Sequence, residues 1–263
     1  MRIDREAVLL LGGRRSLLLQ LAHPLVAQGV ADHSNFRNDR IGRLLRTVDL
    51  SLTMVFGDEQ ASMQAVNQIN AVHRSVHGFM PEAVGRYPAG TPYTAEDPGL
   101  LLWVYATLVE SAITSYSRFV SPLSEAERSA YYHGSIETAT RFGIPPKLIP
   151  EDYQTFLHYF QNMIDGDELA VGTAGREAAD AILYPSVRAI PKRFLDPLNL
   201  ITIGTLPKRI RDLYGLRWNL ARAAALRALT AAAPTFVRML PPRLRFVPHA
   251  RGAEKNLTAG GHG

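Results

Sequence analysis

The stretch from Asp97 to Tyr116, DPGLLLWVYATLVESAITSY, constrains the fold more than any other part of the chain. Pro98 stands where proline is tolerated, in the first turn of a helix. The residues after it are apolar nearly all round, and a helix without a polar face must be enclosed by others. The stretch is therefore read as a central helix. Within it Glu110 is an acid in apolar company, which points to a buried arginine partner, with a solvated helix end as the alternative.

The flanking sequence is helical in period. Residues 6–30 read as one or two helices interrupted by Pro24. Residues 40–56 and 58–77 carry apolar side chains near the i, i+3, i+4, i+7 spacing of a helix face. Gly57 ends the first, Asp58 caps the second and Gly78 stops it. Ser124 and Glu127 form a capping box before a helix over 125–142. Further helices are expected at about 151–163, 167–181 and 216–232, joined by irregular proline-containing chain. Residues 79–98 form a long Pro- and Gly-rich loop, a length that marks a functional or lid-like segment. No alternating strand pattern, repeat or low-complexity run occurs. The expectation is an all-α single globular multi-helix domain of eight to ten helices over residues 1–251. Residues 252–263 are expected to be a flexible tail. The expected core includes Leu18, Leu21, Leu45, Leu52, Ile69, Val72, Leu102, Trp103, Leu108, Phe156 and Leu169.

Composition removes whole classes of chemistry. The 263 residues are 46% apolar, ample for a core, and include no cysteine. Disulfides, cysteine–zinc sites, iron–sulfur clusters, thiolate-ligated haem and covalently attached haem are thereby excluded. The net charge is +5, a modest excess read as spread along the chain. No nucleic-acid partner is expected, and membrane contact is at most peripheral. The apolar N-terminal run is broken by Gly12, Gly13, Arg14 and Arg15, and resembles neither a membrane span nor a signal peptide. The expected location is cytoplasmic.

There is no Glu-x-x-His pair for a di-iron bundle, no His-Glu-x-x-His, no Gly-x-Ser-x-Gly and no phosphate loop. What remains are three small groups. His73 and His77 are four apart at the end of an expected helix; one neutral imidazole on a helix is the usual axial ligand of b-type haem. A helix-terminal pair favoured by the macrodipole accounts for the same spacing. Arg43 and Arg46 share a helix face with Thr47 beside it; anion binding and ordinary surface pairing with Asp39 or Asp49 are both open. His23, before Pro24 in an apolar run, is a buried imidazole in need of a partner. His33 is read as capping a turn, His133 and His158 as surface residues, His249 and His262 as tail.

The ordered segments QLAHPLVAQGVADHSNF, RLLRT, NAVHRSVHG, Tyr93 with DPGLLLWV, PLSEAERSAYY and FGIPPKLIP resemble a bacterial family grouped with the MpaB-type oxygenases and the latex-clearing rubber oxygenases. The resemblance covers roughly residues 5–245. It implies an all-α, globin-reminiscent fold holding haem b, with dioxygen and a hydrophobic, lipid- or terpenoid-like substrate as partners. It implies His73 as the axial iron ligand with His77 as the alternative, Arg46 and Thr47 on the distal side, Arg43 at a propionate or positioning Arg46, and His23 as a further cofactor-binding candidate. Apolar helices around Leu18, Leu21, Trp103 and Leu108 are expected to wall the substrate pocket. Two departures stand out. Arg46 occupies a position where rubber oxygenases keep lysine, and a guanidinium is no neutral amine base. No glutamate lies between Glu6 and Glu59, where those enzymes place a catalytic one; Ala27, Gln28 and Asp32 occupy the region. A haem-binding or sensing protein without turnover, and a cofactor-free helical protein binding an apolar ligand, are the rival readings.

Overall fold

The computed structural model describes residues 3–33, 40–185 and 195–253, with the side chains of 40–45 and 47 left out. The chain runs through α1 (Leu10–Gln20), α2 (Pro24–His33), α3 (Arg40–Phe56), α4 (Glu59–Ser75), β1 (His77–Phe79) and β2 (Pro92–Thr94). It continues through α5 (Pro98–Phe119), α6 (Glu125–Arg141), α7 (Tyr153–Asp165), α8 (Thr173–Leu183), α9 (Asp196–Thr205), α10 (Lys208–Leu213), α11 (Leu220–Met239) and α12 (Pro242–Arg245). The fold is all-α. Among the described residues its helices outnumber the eight to ten expected, because Pro197 and Pro207 start α9 and α10 in what reads as irregular chain.

α5 is the central helix. Asp97 caps it by accepting from the Gly99 and Leu100 amides, and Trp103 in its second turn is fully buried, stacked on Phe160 of α7. α1 packs along it at a point where Gly12 removes the obstacle: a Cβ there would lie 2.4 Å from Ser115 Oγ. Beside that contact Arg15 is buried and reaches Glu110, Ser111 Oγ (2.7 Å) and the Thr205 carbonyl (2.9 Å). Thr114 donates to the other Glu110 oxygen. The arginine partner expected for Glu110 is thus supplied from α1 by a residue that in the sequence reads as a break in an apolar run. Arg14 is likewise turned inward, donating to the Ile182 and Leu183 carbonyls and to Asn199.

α3 and α4 form an antiparallel hairpin that packs chiefly on itself. Gly57 and the Asp58 cap turn the chain between them, Asp58 accepting from the Ala61 amide. The inward stripe of α4 is Ser62, Ala65, Val66, Ile69 and His73, followed by Val76 just past the helix end. Val72, expected in the core, lies off that stripe and is 60% exposed. Leu108, also expected inside, is largely exposed, and Leu52 and Ile69 are half-buried. Leu18, Leu21, Leu102, Trp103, Phe156 and Leu169 are buried as expected, and the Leu45 side chain lies outside the described residues. Leu18 and Trp103 have no exposed surface, Leu21 is buried and Leu108 faces out.

The long loop is not structureless. β1 and β2 pair antiparallel, with Gly78 opposite Tyr93, and Met80 and Val84 are buried beneath it. The C-terminal stretch also docks. Arg245 grips buried Glu6, Val247 and Ala250 pack on Phe56, and His249 meets Asp49 at 3.2 Å. His249 is therefore a contact of the fold rather than loose tail, and the chain stays helical through 248–253; residues 254–263 lie outside the described ones. Among the described residues no helix is long and apolar enough to cross a membrane.

Candidate functional site

α2 is the spine of the polar sites. Two tyrosines from the 79–98 loop reach it, one at each end. At the N-terminal end Tyr87 places its hydroxyl 3.1 Å from His23 Nε2 and donates to Glu168 Oε2. Arg86 holds the other Glu168 oxygen at 2.7 Å and Asp167 at 3.1 Å. Since the tyrosine proton goes to the carboxylate, its lone pair accepts from His23 Nε2–H. His23 is then the Nε2 tautomer, and its buried Nδ1 has no hydrogen-bond partner among the described residues. Burial, only partly offset by Glu168 and Asp97, lowers the His23 pKa to about 4, so the ring is neutral at pH 7. Burial first, then the bond to Glu168, raises the Tyr87 hydroxyl pKa.

At the C-terminal end Tyr93 donates to Asp32 Oδ2 while Gln28 donates to Asp32 Oδ1 at 2.8 Å. Both Asp32 oxygens are thereby engaged. His33 Nε2 lies 2.9 Å from the His77 carbonyl, tying α2 to β1 rather than capping a turn. Gly29 lets Val76 and Tyr93 approach; a Cβ there would sit 3.2 Å from Val76 Cγ1.

The two histidines read as neighbours on one helix part company. α4 stops at Ser75, and His77 is an exposed residue of β1. The reason is Gly78: a Cβ at this position would meet Tyr93 Oη at 2.6 Å, and strand pairing to β2 captures the chain from His77, so the helix ends three residues before the glycine expected to stop it. His73 stays on α4, continues its inward stripe and is half-buried. Burial, partly offset by Glu96, lowers its pKa, which keeps the imidazole neutral near pH 7.

The hairpin decides what faces His73. His73 is fifteen residues after Asp58 and Arg43 fourteen before Gly57, so both stand about 21–23 Å from the turn on adjacent helices at 1.5 Å per residue. The turn of α3 carrying Arg43, Arg46 and Thr47 is thus level with the last turns of α4. The Arg43 and Thr47 side chains lie outside the described residues; Arg46 is exposed. Burial along the α4 stripe falls off toward this end. Ser62, Ala65 and Val66 are buried, whereas Ile69, His73 and Val76 are half-covered. His23 stands at the other end of α2 from His33. It is ten residues, about 15 Å along α2, from His33, which touches β1 beside it.

The described residues gather no group of three or more His, Cys, Asp or Glu able to hold a bare metal ion. A haem would ask less of the protein, one imidazole, since the porphyrin itself supplies the remaining nitrogen ligands. A neutral, half-buried imidazole closing an apolar helix stripe fits that requirement. A separate shallow cleft, lined by Pro24, Gln28, Met80, Glu82, Val84 and Gly175, does not. It has room for about one water molecule, and His73 is not in its wall.

Sequence reasoning missed Tyr87, Glu168 and the Asp32–Tyr93 pair. His23 announces itself as a buried imidazole, but nothing local announces a glutamate 145 positions away.

An all-α domain with a lone inward histidine on a helical hairpin is the class these features define. Residues 2–235 match the family model described as "ER-bound oxygenase mpaB/B'/Rubber oxygenase, catalytic domain", and the chain belongs to that family. It is 25% identical over 234 residues to an uncharacterised protein of Mycobacterium bovis and, equally, to one of Mycobacterium tuberculosis. Each match covers 87% of this chain and 88% of the relative. No solved structure matches.

Proposed function

We propose that the protein is a haem b-dependent oxygenase-like oxidoreductase acting on a hydrophobic, lipid- or terpenoid-like substrate. The observation that carries the reading is the neutral His73 on the inward stripe of α4, level with the Arg43–Thr47 turn of α3. Membership of an oxygenase catalytic-domain family supports it from outside. Haem b, when bound, supplies a centre for binding and activating dioxygen. His73 would hold the iron; His77, exposed on a strand, is set aside. Arg43 provides the positive charge for a propionate. Arg46 and Thr47 would supply N–H and O–H donors to stabilise charge on dioxygen. Asp32 is held by Gln28 and Tyr93, and Arg46, as a guanidinium, is no neutral amine base. Polyisoprene cleavage by the rubber-oxygenase route is therefore not part of the proposal.

The test is spectroscopic. The isolated or haem-reconstituted protein is expected to show a Soret band that His73→Ala abolishes and His77→Ala retains. A protein that takes up no haem refutes the reading in favour of a cofactor-free apolar-ligand binder. Oxygen uptake with a lipid and terpenoid panel separates an oxygenase from a haem sensor, which consumes none.

A further inference from the structure

The basic excess is not spread along the chain. Between Leu213 and Ala253 there are seven arginines and no aspartate or glutamate. The rest of the chain, with 22 of the 29 basic residues and all 24 acids, is net negative. This stretch contains α11 and α12, and both leave large apolar side chains in water: Leu220 (86% exposed), Phe236 (65%), Met239 (79%) and Leu244 (65%). Its arginines are largely unclaimed. Arg245 is committed to Glu6, but among the described residues no carboxylate pairs with Arg222, Arg227, Arg238 or Arg243.

The arrangement on α11 is ordered. Leu226 and Val237 face the body of the protein. Arg227 and Arg238 are eleven residues apart, three turns to within about 20°, and form one edge of the opposite face. Arg222 forms the other edge. Between these edges lie Ala228, Ala231, Ala232, Phe236 and Met239, all exposed and none charged. A helix lying on a bilayer has this section: an apolar strip that enters the acyl boundary, bordered by arginines whose stems lie along it and whose guanidinium groups meet phosphates.

We propose that the α11–α12 face is a docking surface for an anionic lipid bilayer, on which the protein lies peripherally. A second copy of the chain is the poorer occupant, since a two-fold contact would set unpaired arginines against the same arginines. Nucleic acid is poorer too. Its backbone would satisfy the arginines but leave Leu220, Met239 and Leu244 uncovered. Phe236, Arg238, Met239, Arg243 and Leu244 lie beyond residue 235, where the family match ends. The proposal is independent of the haem reading; vesicle binding and the Soret band fail separately.

Flotation of the full-length protein with vesicles tests it, using phosphatidylcholine alone and phosphatidylcholine mixed with phosphatidylglycerol. Binding to the mixed vesicles only is expected. At about fivefold per arginine near an anionic surface, Arg222→Gln/Arg227→Gln/Arg238→Gln weakens partitioning on the order of a hundredfold. Phe236→Ser/Met239→Ser removes the binding that survives 1 M salt, where the screening length is about 3 Å. All five side chains are exposed, and circular dichroism checks that both variants fold. Failure to float with the mixed vesicles, or equal flotation of wild type and both variants, overturns the proposal. So does duplex DNA that displaces the protein from vesicles and loses affinity only in the arginine variant. A dimer that Phe236→Ser/Met239→Ser dissolves overturns it in favour of self-association.

Discussion

His23 makes stability depend on pH in a direction opposite to that of most histidines. Its pKa falls from 6.5 in the unfolded chain to about 4 in the fold, because burial of the ring outweighs the attraction of Glu168 and Asp97. Between those values the unfolded state binds more protons than the native one, so stability rises with pH. The contribution is present in full above pH 6.5 and is lost as pH falls toward 4. At 1.36 kcal/mol per unit the complete loss is about 3 kcal/mol, of which about 2 kcal/mol is gone between pH 7 and pH 5. The ring is 4% exposed, so solvent screening takes little from these figures. Urea unfolding of wild type and His23→Gln at pH 7, 6 and 5 isolates the effect. Glutamine keeps an N–H for Tyr87 and does not titrate, and at pH 5 and above the carboxylates common to both proteins cancel. The variant is expected to be less stable at pH 7 and to close the gap by about 2 kcal/mol at pH 5. Parallel pH profiles, or a His23 imidazole titrating near 6.5 by NMR, would falsify the reasoning.

Two further outcomes follow from packing. Arg15→Met leaves Glu110 buried without its countercharge and is expected to cost about 3–5 kcal/mol in urea unfolding, nearer the lower figure because the Glu110 side chain is 17% exposed. Arg15→Met/Glu110→Gln should cost less than the single change; an equal or larger cost would mean that Arg15 acts through packing alone. Gly78→Ala drives a methyl into Tyr93, breaking its bond to Asp32, and is expected to cost about 1–3 kcal/mol. An unchanged urea midpoint would show that β1 and β2 yield freely.

The helices and their ends are written locally. Asp58, Asp97 and the Ser124–Glu127 box cap the helices they precede, and the apolar run after Pro98 could fold only as an enclosed helix. That His23 is buried and that Glu110 has an arginine were also legible, because an isolated polar group in apolar sequence must find a partner or leave the core. Which partner it finds was not. Arg15 meets Glu110 across 95 residues, Tyr87 meets His23 across 64 and Glu168 meets Tyr87 across 81, so only the packing of α1 on α5 and of the loop on α2 could choose them. His77 left the helix that its spacing promised because Tyr93, sixteen residues on, claims the space over Gly78. The α11 face shows the same division. Seven arginines without an acid are countable in the sequence, but only tertiary packing decides which side of α11 is spent on the core. That choice turns the remaining side into an apolar strip edged with positive charge.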